Sequence, residues 1–208
     1  MSNNTITHTH YPFVIVTSRL HTYIYLYRVS MSAEDLVLST PSVDDDLDEM
    51  YNLEAASYPI DEAATHEGMK FRLRVAGACF VVAKAKHQGK GGEGGGGEII
   101  GFVNGTKTLT SSLTHESMST HDPDGKLLCV HSVVVREAYR RRGYGVAMLR
   151  AYCERMRKDP GIAEIRLLCK PYLVSFYQQA GFTLLGESDV VHGKDAWMEM
   201  KMDVHETR

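Results

Sequence analysis

The chain has 208 residues, 43% of them hydrophobic, and a formal net charge of −3. This is enough apolar material for one domain with a good core, and too little positive charge for the electrostatic footprint of a nucleic-acid binder. Four cysteines, at positions 79, 129, 153 and 169, lie in apolar patterns without a Cys-x-x-Cys pair, as expected of reduced thiols in the cytoplasm.

Residues 1–33 contain no acidic side chain but include Arg19, Arg28 and many hydroxyls, a composition compatible with a mitochondrial transit segment. Arg19 and His21 interrupt the apolar run that starts at Phe13, so it does not read as a membrane span. The expectation is a poorly ordered or dispensable extension, with the working domain at 34–208 and Met31 as an alternative start. The run DDDLDE at 44–49 precedes YNLEAAS and suits a solvated helix start, where acidic groups meet the positive end of the dipole. Tyr58-Pro59 then breaks the helix, because proline biases its predecessor away from αR. ACFVVAKA and EIIGFVNG read as strands flanking a glycine-rich hairpin insert at 87–97.

Leu127–Val135 is too short and valine-rich for an ordinary helix and reads as a strand buried on both faces. From Tyr144 onward, Val146, Leu149, Tyr152, Cys153 and Met156 recur at helical spacing. Asp159-Pro160-Gly161 closes that helix, and residues 163–169 form another strand pattern. Pro171 opens a helix to Ala180, stopped by Gly181; FTLLGES and AWMEMKMDV follow as terminal strands. No internal repeat is evident, and the sequence leaves the oligomeric state open, a monomer being one of the possibilities.

The chemistry concentrates between strand and helix, at Arg140-Arg141-Arg142-Gly143-Tyr144-Gly145. The first N–H groups of a helix lack intrahelical partners and sit at the positive end of the dipole, so a pyrophosphate can accept from several of them. Glycines at 143 and 145 let phosphate oxygens approach the backbone. Two rival motifs fail: a dinucleotide fingerprint would need glycine where Met148 stands, and a P-loop would need Gly-Lys-Ser/Thr where the chain has Gly-Tyr-Gly-Val.

Arg-x-x-Gly-x-Gly after a strand resembles the acyl-CoA pyrophosphate loop of the GCN5-related N-acetyltransferases. LCVHSVVV together with LLCKPYLVSFYQQAGF is similar to the arylalkylamine branch of that superfamily, especially its non-vertebrate members, over about the last eighty residues. The resemblance implies a mixed α/β domain: a mostly antiparallel sheet with one splayed parallel strand pair, 127–135 beside 163–169, and helices on both faces. It implies acetyl-CoA as cosubstrate, no metal, and a small amine acceptor, most simply an arylalkylamine, with polyamines next. It places the cosubstrate on Val133, Val134, Val135, Arg141, Arg142, Gly143, Tyr144, Gly145 and Val146, and the acceptor near Tyr58, Pro59, Cys129 and Trp197. The branch's second strand histidine falls on His131 and its helix tyrosine on Tyr177. Its first strand histidine falls on Cys129, and Lys170 stands where vertebrate members carry an acidic residue.

Amide formation needs a neutral amine, yet an alkylammonium has a pKa near ~10.4, so capturing the free base costs roughly 4 kcal/mol at neutral pH. His131 is the candidate base and Tyr177 the candidate donor to the departing thiolate. Alternation along the strand turns His131 opposite to Ser132. Two other uses of the same motif stay open: acetylation of protein N-termini or lysines, and non-catalytic sensing of acyl-CoA.

Overall fold

The computed structural model describes residues 5–7, 13–18, 21–26, 36–85, 97–114, 116–117, 120–190 and 196–204. Strands β1 (Thr5–Thr7), β2 (Phe13–Ser18) and β3 (His21–Leu26) pair antiparallel in a sheet of their own. Residues 86–96, most of the glycine-rich insert, lie outside the described residues, but the strands flanking it pair antiparallel as a hairpin requires.

The main sheet has seven strands. They are β4 (Leu36–Ser39), β5 (Val81–Ala85), β6 (Ile99–Thr108), β7 (Leu127–Val135), β8 (Glu164–Cys169), β9 (Thr183–Glu187) and β10 (Met198–Asp203). Their spatial order is β4-β5-β6-β7-β8-β10-β9, and every neighbouring pair is antiparallel except β7 with β8. That mixed architecture is the one the sequence led us to expect. Helices α1 (Leu47–Ala55) and α2 (His66–Ala76) cover one face, and α3 (Tyr144–Met156) and α4 (Val174–Gln179) the other. The parallel pair needs a crossover, which α3 supplies; its buried stripe of Met148, Leu149, Tyr152 and Met156 packs on Leu128, Val130, Ile165 and Leu167. On the other face Met50, Met69, Leu73 and Phe80 pack on Phe102 and Val134.

The parallel ladder is short. It runs from Leu127 opposite Glu164 to Val130 opposite Leu167, after which Leu168 and Cys169 pair only with β10. From His131 onward β7 keeps its partner β6 but faces away from β8, so the sheet splays into a V. The register of β6 with β7 also slips between Asn104 and Gly105, leaving His131 as the extra residue of a bulge. Consequently Leu128 and Val130 before it and Val133 and Val135 after it all pack into one cluster.

Three expectations need correction. The acidic run before α1 is not simply solvated: Asp46 is buried, accepts from the Ser42 N–H at 2.8 Å and pairs with Lys84 at 3.1 Å, while Glu49 binds the Ile99 N–H and Arg136. The segment after Tyr58-Pro59 contains the helix α2, which periodicity did not announce; Thr65 caps it by accepting from the Gly68 N–H at 3.1 Å. The helix expected over 171–180 divides into a 3₁₀ turn, Pro171–Leu173, and the short α4.

Candidate active site

The loop into α3 is held in an unusual conformation. Gly143, its N-cap, has φ 88°, and Arg141 has φ 58°, a left-handed conformation that costs an L residue roughly 1–2 kcal/mol. Arg140 ties the loop down: its Nε donates to the Val135 carbonyl at 2.8 Å and its Nη2 to the Ser57 hydroxyl at 2.9 Å. The two glycines serve different ends. Gly143 is needed for its positive φ, whereas a Cβ on Gly145 would stand 3.0 Å from the Phe176 ring and 3.3 Å from Val135, so its bareness lets α3 lie close to α4 and β7.

A cleft of 650 Å³, within the range of small-molecule sites, starts at this loop and runs down the splay. Arg141, Gly143, Gly145 and Val146 line one end, Val133, Val134 and Val135 a wall, and Tyr58, Pro59 and Trp197 the other end. Tyr177 and Phe176 of α4 close the side facing β7. The structure thus brings together most residues named from sequence. Arg142 and Tyr144 belong to the loop but not to the cleft wall, and Tyr144 instead stands edge-on to Tyr139 at 5.4 Å.

Tyr177 is 5% exposed, with Phe176 and Phe182 edge-on beside it. Burial, with Tyr58, Cys169 and Tyr172 adding to it, pushes its phenol well above the ordinary value, so it stays protonated. Tyr58 is raised as well, chiefly by burial and then by Glu54, and the Val133 N–H faces its hydroxyl oxygen.

His131 is placed differently from the sequence expectation. Its Nε2 lies 2.7 Å from the Thr106 hydroxyl, whose register partner is Cys129, so the ring shares the Cys129 side and is not on the cleft wall. The bulge turns Val133 and Val135 to the other side, so alternation fails just after this residue. The Thr106 hydroxyl also reaches the Ser117 carbonyl at 3.2 Å, and a carbonyl only accepts. Satisfying both bonds makes Nε2 the N–H and leaves Nδ1 as the basic nitrogen. Burial, then the Arg72 guanidinium, push the ring's pKa down to about 3. Close by along the sheet, Asn104 is 1% exposed with neither amide atom bonded to the protein, and one oxygen of buried Glu54 is likewise without a partner.

Cys129 is not at the cleft either. It is fully buried in a small cluster with Leu113 and Leu127, and burial pushes its thiol up to about 12. Among the cleft residues that carried no assigned role in the sequence, Glu62, in the loop after Tyr58-Pro59, and Lys170, at the end of β8, form a charged pair. Lys170 Nζ is 2.6 Å from Glu62 Oε1 and 4.0 Å from the Trp197 ring centre. The departure at Lys170 was visible in the letters, but its partner 108 residues away was not.

Known proteins share the fold and part of the sequence. Serotonin N-acetyltransferase of Mesocricetus auratus is 30% identical over 105 residues, 50% of this chain and 51% of that protein. Human serotonin N-acetyltransferase is 27% identical over 104 residues, 50% of each chain. The chain therefore spans about half the length of these relatives. Among solved structures, the GphF GNAT-like decarboxylase in complex with isobutyryl-CoA superposes with a TM-score of 0.67 at 17% identity, covering 81% of this chain and 100% of its own. The loading GNATL domain of CurA from Lyngbya majuscula gives 0.68 at 12% identity, covering 83% and 99%. At such identities the likeness is one of fold alone. Residues 47–182, from the start of α1 to just past α4, match the acetyltransferase (GNAT) family, and the chain belongs to it.

Proposed function

We propose that the chain is an acetyl-CoA-dependent N-acetyltransferase that acetylates a small primary amine of the arylalkylamine type by direct attack. The observation that carries this reading is the cleft, which joins a left-handed glycine loop, a β7 edge turned away from β8, a buried phenol and an aromatic far end. The pyrophosphate of acetyl-CoA accepts from the N–H groups at the start of α3 beside Arg141, and the pantetheine arm adds to the edge at Val133–Val135 as an extra strand. The acyl carbonyl takes the Val133 N–H, displacing the Tyr58 hydroxyl that faces it.

Magnitudes decide how the proton moves. Full transfer from an alkylammonium near ~10.4 to a ring at about 3 spans about seven pKa units, close to ~10 kcal/mol, against roughly 4 kcal/mol for capture of the free base. The acceptor therefore enters neutral, which an end lined by Tyr58, Pro59 and Trp197 and carrying the Lys170 ammonium favours. Its nitrogen attacks the thioester carbon, the C–N bond forms and the C–S bond breaks. Only after that attack is the nitrogen acidic enough for His131 Nδ1 to receive its proton through a water. Tyr177 donates a hydrogen bond to the departing sulfur; with its pKa above ~10 and a thiol near ~8.5, complete transfer from the phenol is uphill. The proton lost by nitrogen ends on the coenzyme A thiol.

Four buried free thiols fit a reducing compartment, and we assign the protein to the cytoplasm, with residues 1–33 dispensable for catalysis. Thiol release from acetyl-CoA over a panel of arylalkylamines, polyamines and peptides tests the reading. Fastest turnover is expected with an arylalkylamine. Preference for peptides would replace the acceptor assignment, and coenzyme A binding with no release over any acceptor would replace catalysis by sensing.

A further inference from the structure

We propose that Glu62 and Trp197 form an ammonium subsite that the chain fills with its own Lys170, and that this bars diamines and polyamines from the acceptor end of the cleft. The inference rests on the acetyltransferase reading and deepens it by naming what restricts the acceptor class.

A carboxylate beside an aromatic face is the pair of groups that recognises an ammonium ion. Both are present at the cleft, and both are secluded: the Glu62 side chain is 4% exposed and Trp197 9%. Between them lies the Lys170 ammonium, 2.6 Å from a Glu62 oxygen and 4.0 Å from the Trp197 ring centre, on a side chain 10% exposed. A covalently tethered ligand of this kind is present at every moment and needs no association. Lys170 leaves β8 immediately after Cys169, and Pro171, with φ held by its ring, starts the following turn, so the point of attachment is fixed.

The consequence is a charge rule for acceptors. The attacking nitrogen enters as free base and meets no charge requirement, but the distal amine of a diamine remains an ammonium. Seated here, it would either stand beside Lys170, like charge against like in a poorly solvated cleft, or displace it and leave a buried lysine without its carboxylate. An acceptor whose far end is an aromatic ring meets neither cost. Trp197 and Tyr58 offer such a ring apolar contact. Removing the lysine charge reverses the rule, because Glu62 and Trp197 then recruit the distal ammonium.

The test compares kcat/KM for phenethylamine and for putrescine in the full chain, in Lys170→Met and Lys170→Gln, in Lys170→Arg, and in Lys170→Met combined with Glu62→Gln. The original chain is expected to favour phenethylamine by at least about tenfold, and Lys170→Met or Lys170→Gln to raise putrescine turnover in absolute terms by at least about tenfold. Lys170→Arg, which restores a cation, keeps the original preference, and adding Glu62→Gln abolishes the gain. A gain of function for one substrate is not what a merely damaged fold produces. Equal use of both amines by the original chain, or no rise for putrescine in either neutral variant, overturns the proposal. If the original chain releases no thiol with either amine, the acetyltransferase reading itself fails and takes the subsite's role with it.

Discussion

Replacing His131 with glutamine separates a part-buried neutral imidazole from a titrating general base. In the folded chain the ring's pKa is lowered from 6.5 to about 3, by burial first and Arg72 second. A depressed value means that the unfolded chain binds the proton first, so stability is complete above about pH 6.5 and falls as pH drops towards 3. The slope is about 1.4 kcal/mol per pH unit, which gives about 2–3 kcal/mol between pH ~6.5 and ~4.5, an order-of-magnitude figure. His131→Gln removes this share while its amide can still meet the Thr106 hydroxyl, so near neutrality it costs only ~1 kcal/mol for an imperfect hydrogen bond. Urea unfolding of both proteins at about pH 7.5 and about pH 4.5 reads the difference directly, because His121, whose pKa is also lowered by burial, is common to both and cancels. The gap between them should close or invert on acidification. Parallel losses in the two proteins would refute the buried-ring account. Kinetics offers an independent check: kcat/KM should climb with pH towards the amine's own pKa without a limb near 6.5. A limb there that disappears in His131→Gln would restore the ring as a ground-state base.

Tyr177→Phe should lower kcat by about 10²-fold or more with coenzyme A affinity little changed, as measured by thiol release beside calorimetry; unchanged kcat would remove its assigned role. Gly143→Ala forces a Cβ into a φ of 88°, at a cost of roughly 1–2 kcal/mol, and should weaken coenzyme A binding by roughly five- to thirtyfold, with equal affinity arguing against a preorganised loop. A chain begun at Met31 should fold and bind coenzyme A as the full chain does, since among the described residues β1–β3 pair only with one another, and loss of cooperative unfolding in the shortened chain would show that the first thirty residues are structural.

The features legible in the sequence are those written in local pattern. Helical periodicity gave α3, the glycine spacing gave the turn that starts it, and a valine run gave β7. What local pattern could not show was the bulge. One extra residue at His131 changes which face every later side chain takes, and the slip is set by the partner strand at Asn104–Gly105, far away in the chain. The misplacement of His131 and Cys129 relative to the cleft has this single cause. The glycines were singled out for the close approach of a phosphate, whereas the close approach visible at Gly145 is to Phe176 and Val135. Glu62 was illegible for a different reason: it sits in a non-repetitive loop, and its meaning comes from Lys170 across the cleft.

The central claim is that the amides following the arginine triplet hold an acyl-CoA in the splay between β7 and β8. Calorimetric titration of the full chain with coenzyme A, repeated on Gly145→Val, tests it most directly. One-to-one binding is expected in the original chain and its loss in the variant, whose added carbons would meet the Phe176 ring from a Cβ only 3.0 Å away. Folded original chain that takes up no coenzyme A, or a variant that binds it equally well, would contradict the account.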